Sequence, residues 1–63
     1  MKLWKFNRTD VSITLKNGVV VRGFVEDYCD ALDNAEEMDS LLVDVDGTPR
    51  EYFEDEILSI SAT

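Results

Sequence analysis

The chain has 63 residues, of which 14 are acidic and 6 are basic, so its formal net charge is −8 at pH 7. A chain of this length forms a single domain, residues 1–63, and buries only about 60% of the surface that its unfolded form exposes. Its core is therefore thin, and small domains of this kind often gain stability from a partner subunit. The basic residues are scattered along the sequence, which disfavours non-specific binding to a phosphate backbone.

The composition also argues against catalysis. The chain has no histidine, so it lacks the commonest general base near neutral pH and the commonest zinc or copper ligand. Carboxylates can act as acid and base only where burial raises the pKa of one of them, and nothing in the sequence predicts such a setting. Cys29 has no histidine to activate it and lies among carboxylates that disfavour a thiolate, so we expect a small, half-buried apolar side chain. We predict a protein that is not an enzyme and has no cofactor.

The sequence carries no sign of export or membrane insertion. Cys29 is the only cysteine, which excludes a disulfide within one chain and favours a reducing cytoplasm. The first ten residues, "MKLWKFNRTD", include no apolar run of a signal peptide, and no segment approaches the roughly twenty apolar residues of a membrane span. We therefore expect a cytoplasmic protein with no membrane partner.

The first elements in chain order are a short apolar segment and a hairpin. Leu3, Trp4 and Phe6 fit a short strand or a half-turn, and we predict Trp4 to pack as core or lid, since so small a core needs its aromatic side chains. "VSITL" alternates apolar and polar residues, which is typical of a strand with one buried face. Asn17-Gly18 favours a tight hairpin turn with Gly18 at positive φ.

The second strand is predicted to run from about residue 19 to residue 27. Gly23 interrupts its apolar pattern, and a glycine inside a strand usually marks a bulge or a sharp bend. We therefore expect a long, bent second strand.

The next segment, Asp27 to Asp39, holds six carboxylates in thirteen residues. Oxygen ligands on a flexible loop are what hard cations prefer, and Asp30, Asp33 and Asn34 form the candidate metal set. The spacing does not match the known calcium loop, which needs a glycine at its sixth position. A solvated acidic loop is the alternative, because exposed like charges about 7 Å apart repel by only about 0.6 kcal/mol in water.

A helical interpretation of the same segment is also open. Apolar side chains recur there at intervals of three and four residues, as in an amphipathic helix. They are Tyr28, Ala31, Leu32, Ala35 and Met38. Because "LDN" resists helix and favours a turn or cap, we expect an ordered excursion with one helical turn.

The rest of the chain predicts three more strands. "SLLVDV" and "REYF" flank a turn at Asp46-Gly47, with Gly47 at the turn and Pro49 confined to a strand start or an edge. "EDEI" is predicted to form one helical turn before a last strand that begins near Ile57. Five short strands with no room for a long helix favour an all-β fold, a small, strongly bent, closed or half-closed barrel of the SH3-like type.

The first hairpin and the loop after it resemble the first motif of Sm and Sm-like (LSM) domains. That motif combines alternating apolar residues, two spaced glycines, an apolar pair, an aromatic residue and an Asp/Asn pair. Its positions here are Leu15, Gly18, Gly23, Phe24, Val25, Tyr28, Asp30 and Asn34. The chain also resembles a set of very small Sm-like proteins of Firmicutes, through "WKFN" at residues 4–7 and "EILSI" at residues 56–60.

The resemblance implies a five-stranded Sm-like barrel that associates through its edge strands. In RNA-binding members an Asp/Asn loop and an Arg-Gly pair grip a uridine, which would assign nucleic-acid binding to Tyr28, Asp30 and Asn34. Glu54-Asp55 stands where those members carry Arg-Gly, so carboxylates replace a guanidinium that would pair with phosphate. We therefore expect an interaction or assembly module, with an unidentified protein partner or a second copy, and treat RNA binding and cation binding as alternatives.

Overall fold

The computed structural model describes all residues, 1–63, and shows one antiparallel sheet with the strand order β4-β3-β2-β1-β5. The strands are β1 Asp10–Leu15, β2 Val20–Cys29, β3 Ser40–Val45, β4 Thr48–Phe53 and β5 Ile57–Ala62. Short 3-10 turns occur at Leu3–Phe6, Ala31–Asp33 and Glu54–Glu56. The prediction of an all-β, five-stranded domain is confirmed. Because no ladder joins β4 to β5, closure of the sheet into a barrel remains a prediction.

No helix of the structure has the length and apolar character needed to cross a membrane.

The core lies on one face of this single sheet. It comprises seven apolar side chains that are at most 2% exposed: Leu3, Val11, Ile13, Val25, Leu41, Val43 and Ile57. They recur at alternate positions of the strands, as the period of two requires. With no second layer except the first 3-10 turn, a sheet can bury residues from its central and edge strands this completely only if it curls around its own inner face. The predicted strong bend follows from this burial.

The N-terminal turn corrects one prediction. Trp4 is 55% exposed, whereas its neighbour Leu3 is fully buried. In a 3-10 turn the side chains at i and i+3 share a face, so Leu3 and Phe6 both turn toward the core. Trp4 points away, with the Lys5 ammonium 5.9 Å from its ring centre. The prediction that Trp4 is core or lid is wrong, because the 3-10 turn directs Leu3 and Phe6 toward the core and Trp4 away from it.

The two hairpin turns use glycine in different ways. Asp46 and Gly47 both have positive φ, 52° and 83°, which is the two-residue turn that matches the twist of the flanking strands. At the first turn only Gly18 has positive φ, 91°, while the Asn17 side chain accepts a hydrogen bond from the Val19 N–H at 3.0 Å. Both turns were predicted, and the role of Asn17 is that of an acceptor rather than a second positive-φ residue.

Gly23 marks a close approach of two strands rather than the bulge. A Cβ at this position would lie 2.3 Å from the backbone oxygen of Asp44 on β3. The irregular register in β2 falls later, between Val25 and Asp27. The prediction of a long second strand is thus confirmed, since β2 runs from Val20 to Cys29, but its register irregularity is not at Gly23.

The segment between β2 and β3 contains one turn of 3-10 helix, as expected, and not an amphipathic helix. Leu32, which that helix would have buried, is 95% exposed. The turn spans only Ala31–Asp33. The predicted single turn ahead of β5 is also present, at Glu54–Glu56, and Cys29 is half-buried as expected.

Candidate functional site

The acidic loop, residues 30–39, is held by its own carboxylates. Asp30 Oδ1 accepts a hydrogen bond from the Leu32 N–H at 2.9 Å, which caps the 3-10 turn. Asp39 Oδ1 accepts one from the Ala31 N–H, also at 2.9 Å, and so ties the end of the loop to its beginning. Short acidic side chains satisfy free backbone donors in this way at many turns. Two of the loop's carboxylates therefore stabilise the loop itself by accepting hydrogen bonds from its backbone.

A buried hydroxyl links the loop to the sheet. Ser40 is fully buried at the start of β3. Its Oγ accepts from Asn34 Nδ2 at 3.0 Å and donates to Glu51 Oε2 on β4 at 2.7 Å. Both the donor and the acceptor capacity of the hydroxyl are thus engaged, as burial of a polar group requires. The hydrogen bond from Asn34 therefore holds the loop against the start of β3.

Tyr28 lies in the most negative part of this end. Burial of its phenol, followed by hydrogen bonding to Asp39 and the charges of Asp39, Asp30 and Glu54, raises the pKa of Tyr28 to about 12. The Glu54 N–H donates to the Asp39 backbone oxygen at 2.9 Å. The last 3-10 turn and the acidic loop therefore meet at Tyr28, and the phenol stays protonated at physiological pH.

The structure brings the predicted nucleic-acid residues into one neighbourhood that is unfavourable for phosphate. Tyr28 and Asp30 lie together, with Asp39 and Glu54 adding negative charge. The one ion pair of the chain joins the Met1 amino group to Glu54 Oε1 at 3.8 Å. No lysine or arginine reaches these carboxylates, so a phosphate oxygen here would face repulsion that only the Met1 amino group offsets in part.

The predicted metal set gains no support from the geometry. Nowhere in the chain do three or more cysteine, aspartate or glutamate side chains converge on a point that could hold a metal ion. Asp30 Oδ1 accepts from the Leu32 N–H, and Asn34 Oδ1, the atom that would bind a cation, accepts from the Glu36 N–H at 3.4 Å. Of the three proposed ligands only Asp33 has a carboxylate without a hydrogen-bond partner in the loop, and one carboxylate does not make a site.

The opposite end of the sheet carries an apolar groove that sequence reasoning missed. It lies between the β1–β2 and β3–β4 turns, has a volume of about 500 Å³, and includes Leu15, Val19, Val21, Val45 and Tyr52. Val19 is 51% exposed. The run Val19-Val20-Val21 was the available signal, since three consecutive apolar residues in a strand cannot all face the same core.

Basic residues flank this groove. Arg50 lines it, Lys16 lines the adjoining depression with Tyr52, and Arg22 lies beside Val21. None of the three makes an ion pair. Arg22 and Arg50 thus lie toward the turn end of the sheet, whereas Lys16 also lines a depression with Met38 of the acidic loop and with Glu54 and Asp55.

The β4 edge is blunted. The Glu54 N–H donates to the Asp39 backbone oxygen, so these two residues form a hydrogen-bonded pair. Hydrogen-bonded and non-bonded pairs alternate along an antiparallel ladder. The backbone groups of Pro49, Glu51 and Phe53 therefore point away from β3. Pro49 has no N–H, and the Phe53 N–H donates to Glu56 Oε2 at 3.2 Å. Only Glu51 offers a free outward donor, which is a recognised protection of an edge strand.

The β5 edge is open. The Thr63 N–H donates to the Asp10 backbone oxygen at 3.0 Å, so these two residues form a hydrogen-bonded pair. By the same alternation, the backbone N–H and C=O groups of Ile60 and Ala62 point away from β1. No side chain or loop forms a hydrogen bond with these groups, and β5 contains no proline. β5 is therefore the edge at which another strand can be added.

Comparisons of the chain with protein-family models, curated proteins and solved structures find no match. Its function must be inferred from its own residues.

Proposed function

We propose that this protein is a non-enzymatic interaction module of Sm-like fold that acts in the cytoplasm and associates, with a second copy or another protein, by adding a strand to the β5 edge. The observation that carries the proposal is the contrast between the edges. β4 offers one free outward donor, whereas Ile60 and Ala62 on β5 both present unpaired N–H and C=O groups.

The rest of the chain supports an interaction role. Strand addition supplies main-chain hydrogen bonds and needs no deep pocket. It also enlarges a core of only seven buried apolar residues, which a domain this small gains from. Leu58, 61% exposed at the start of β5, offers an apolar contact beside the new strand.

The test places a proline on the outward edge. Ala62→Pro removes an N–H that makes no ladder bond and adds a ring on the side from which a partner strand would approach. We expect the variant to stay folded and to remain monomeric by sedimentation velocity at concentrations where the wild type associates. Ala62→Ser, which keeps the N–H, is the matched control and should behave as the wild type does.

Amide exchange locates the contact. In the wild type the N–H groups of Ile60 and Ala62 should exchange freely in dilute solution and become protected as the concentration rises, while the Glu51 N–H changes little. Association of Ala62→Pro at wild-type strength, or concentration-dependent protection at Glu51 instead of β5, would overturn the proposal.

A further inference from the structure

β5 carries no charged residue, unlike every other strand of the sheet. Edge strands are usually protected from a second strand by charged side chains, by proline or by a covering loop. β5 has neither charge nor proline, and the outward backbone groups of Ile60 and Ala62 accept or donate no hydrogen bond within the chain. In a chain with a net charge of −8, two copies therefore approach with the least repulsion between paired strands at this edge.

A second copy offers two edge strands that could pair with β5. Its β4 strand has a free outward N–H only at Glu51, and it brings the charges of Arg50 and Glu51 to the edge. Its β5 strand offers two outward N–H groups and two outward C=O groups, at Ile60 and Ala62, and no charge. The second β5 strand thus has the same number and spacing of donors and acceptors as the edge that it meets.

One antiparallel register pairs all of these groups. Ile60 and Ala62 are separated by one residue, so a two-fold axis at Ser61 places Ile60 of each copy opposite Ala62 of the other. Opposed residues of a hydrogen-bonded pair exchange both of their bonds, so every outward group at the two positions is used. An axis at Ile60 would instead oppose Ala62 to Leu58, which has no partner on β1 because the register shifts there. An axis at Ala62 would pair only Ala62 with its own copy.

The side chains of the two strands are compatible in this register. Ile60 and Ala62 lie opposite the core residues Ile13 and Val11, and Ile60 already packs against the core. The pairing therefore extends the apolar inner face of one sheet into the next. On the outer face Ser61 meets its own copy, and hydroxyl side chains form hydrogen bonds across a strand pair. Neither face brings like charges together.

We infer that this protein forms a two-fold dimer in which the β5 strands of two copies pair antiparallel about Ser61, so that two five-stranded sheets become one continuous sheet. The inference rests on the proposed function and makes it specific, because it names the occupant of the β5 edge and its register. The interface is isologous, since the same surface of each copy takes part. The dimer exposes two β4 edges, which are protected, so assembly stops at two copies.

A disulfide reports the register. At the axis Ser61 forms a non-hydrogen-bonded pair with its copy, in which the Cα atoms are about 4.5 Å apart, and a disulfide spans this distance. Ser61→Cys is made in a Cys29→Ser chain, so that each copy carries one thiol. The matched control is Ser59→Cys in the same Cys29→Ser chain. Ser59 and Ser61 are both exposed, but Ser59 lies about 14 Å from its copy, four residues along the paired strands.

Both variants are incubated at one concentration in a glutathione redox buffer, whose oxidised form takes the two electrons that the two thiols release. We expect the disulfide-linked fraction of Ser61→Cys to exceed that of Ser59→Cys about tenfold or more, because pairing raises the effective concentration of opposed thiols. Adding Ala62→Pro to Ser61→Cys should remove this excess, and adding Ala62→Ser should keep it. A mixture of Ser59→Cys and Thr63→Cys chains should link the two different chains, since these positions oppose each other in this register.

Sedimentation velocity of the wild-type chain is independent of the thiol variants and should show a mass that levels off at two chains. The inference is overturned if Ser61→Cys links no better than Ser59→Cys, if its excess survives Ala62→Pro, or if assembly continues beyond two copies. Where Ala62→Pro abolishes association but Ser61→Cys shows no excess, β5 accepts a strand in another register or from another protein. The proposed function then stands and this inference fails. If Ala62→Pro associates as the wild type does, both fail.

Discussion

The two ends of the sheet differ in how their charged residues are used. At the acidic end Asp30, Asp39 and Glu51 accept hydrogen bonds from backbone or hydroxyl donors of the fold itself. At the turn end Lys16 and Arg50 make no ion pair and stand beside an open apolar groove. The difference shows that carboxylates in a dense run of charge can stabilise the fold itself, while Lys16 and Arg50 pair with no carboxylate.

The largest loss of stability is expected from a substitution at Gly23, where β2 and β3 approach each other closely between the two ends of the sheet. Gly23→Ala places a Cβ 2.3 Å from the Asp44 backbone oxygen, which neither strand can relieve without breaking the ladder. We expect a loss of more than about 3 kcal/mol of unfolding free energy, measured by urea denaturation. In Gly18→Ala the added Cβ meets no atom within 4 Å. The unfolding free energy should fall by only about 1–2 kcal/mol, because a non-glycine residue must adopt positive φ. Equal losses at the two glycines would refute the close approach.

A smaller effect is expected when the acidic loop loses its link to the sheet. Ser40→Ala leaves Asn34 and Glu51 without the hydroxyl that joins them. We predict a loss of about 1–3 kcal/mol, again by urea denaturation. Thr48→Ala, at an exposed position of the turn end, should stay within about 0.5 kcal/mol. If the two variants are equally stable, the loop does not depend on Ser40.

The acidic end should also leave a signature at alkaline pH. Because the folded-state pKa of Tyr28 is raised to about 12 from 10.0, the folded chain holds this proton more tightly than the unfolded chain does. The resulting stability is complete below pH 10 and is lost as the pH rises through 12. Absorbance of the phenolate and thermal unfolding between pH 9 and 12 measure this. Tyr28→Phe should abolish the late titration, and Tyr52→Phe should leave it in place.

The smallest effect is expected from divalent cations. With Asp30 and Asn34 engaged in the fold, millimolar Ca²⁺ or Mg²⁺ should leave the melting temperature unchanged beyond what an equal ionic strength of NaCl produces. A specific rise that Asp33→Asn removes would show that the acidic end holds a cation after all.

Periodicity and turn chemistry were enough to predict most of the fold. Three local signals each correspond to a feature of the structure. They are the alternation in "VSITL", the Asp46-Gly47 turn and the helical turn before Ile57. Trp4 was predicted wrongly because the choice between Leu3 and Trp4 for the core depends on the pitch of a 3-10 turn. Gly23 was recognised as special, but its reason, the passage of β3, is not local.

The candidate site was predicted less well. Composition identified the acidic loop. Which of its carboxylates accept hydrogen bonds depends on backbone N–H groups whose positions are set only when the chain folds. The groove was missed because it forms from two turns that are distant in sequence, and Leu15 and Arg50 line one depression only when β1 and β4 curl toward each other.

The most direct test of an association module is the mass of the unmodified chain in solution. Static light scattering from dilute protein to several hundred micromolar should show a mass that rises above the 7.2 kDa of one chain. A mass of 7.2 kDa at every concentration would contradict self-association through the β5 edge.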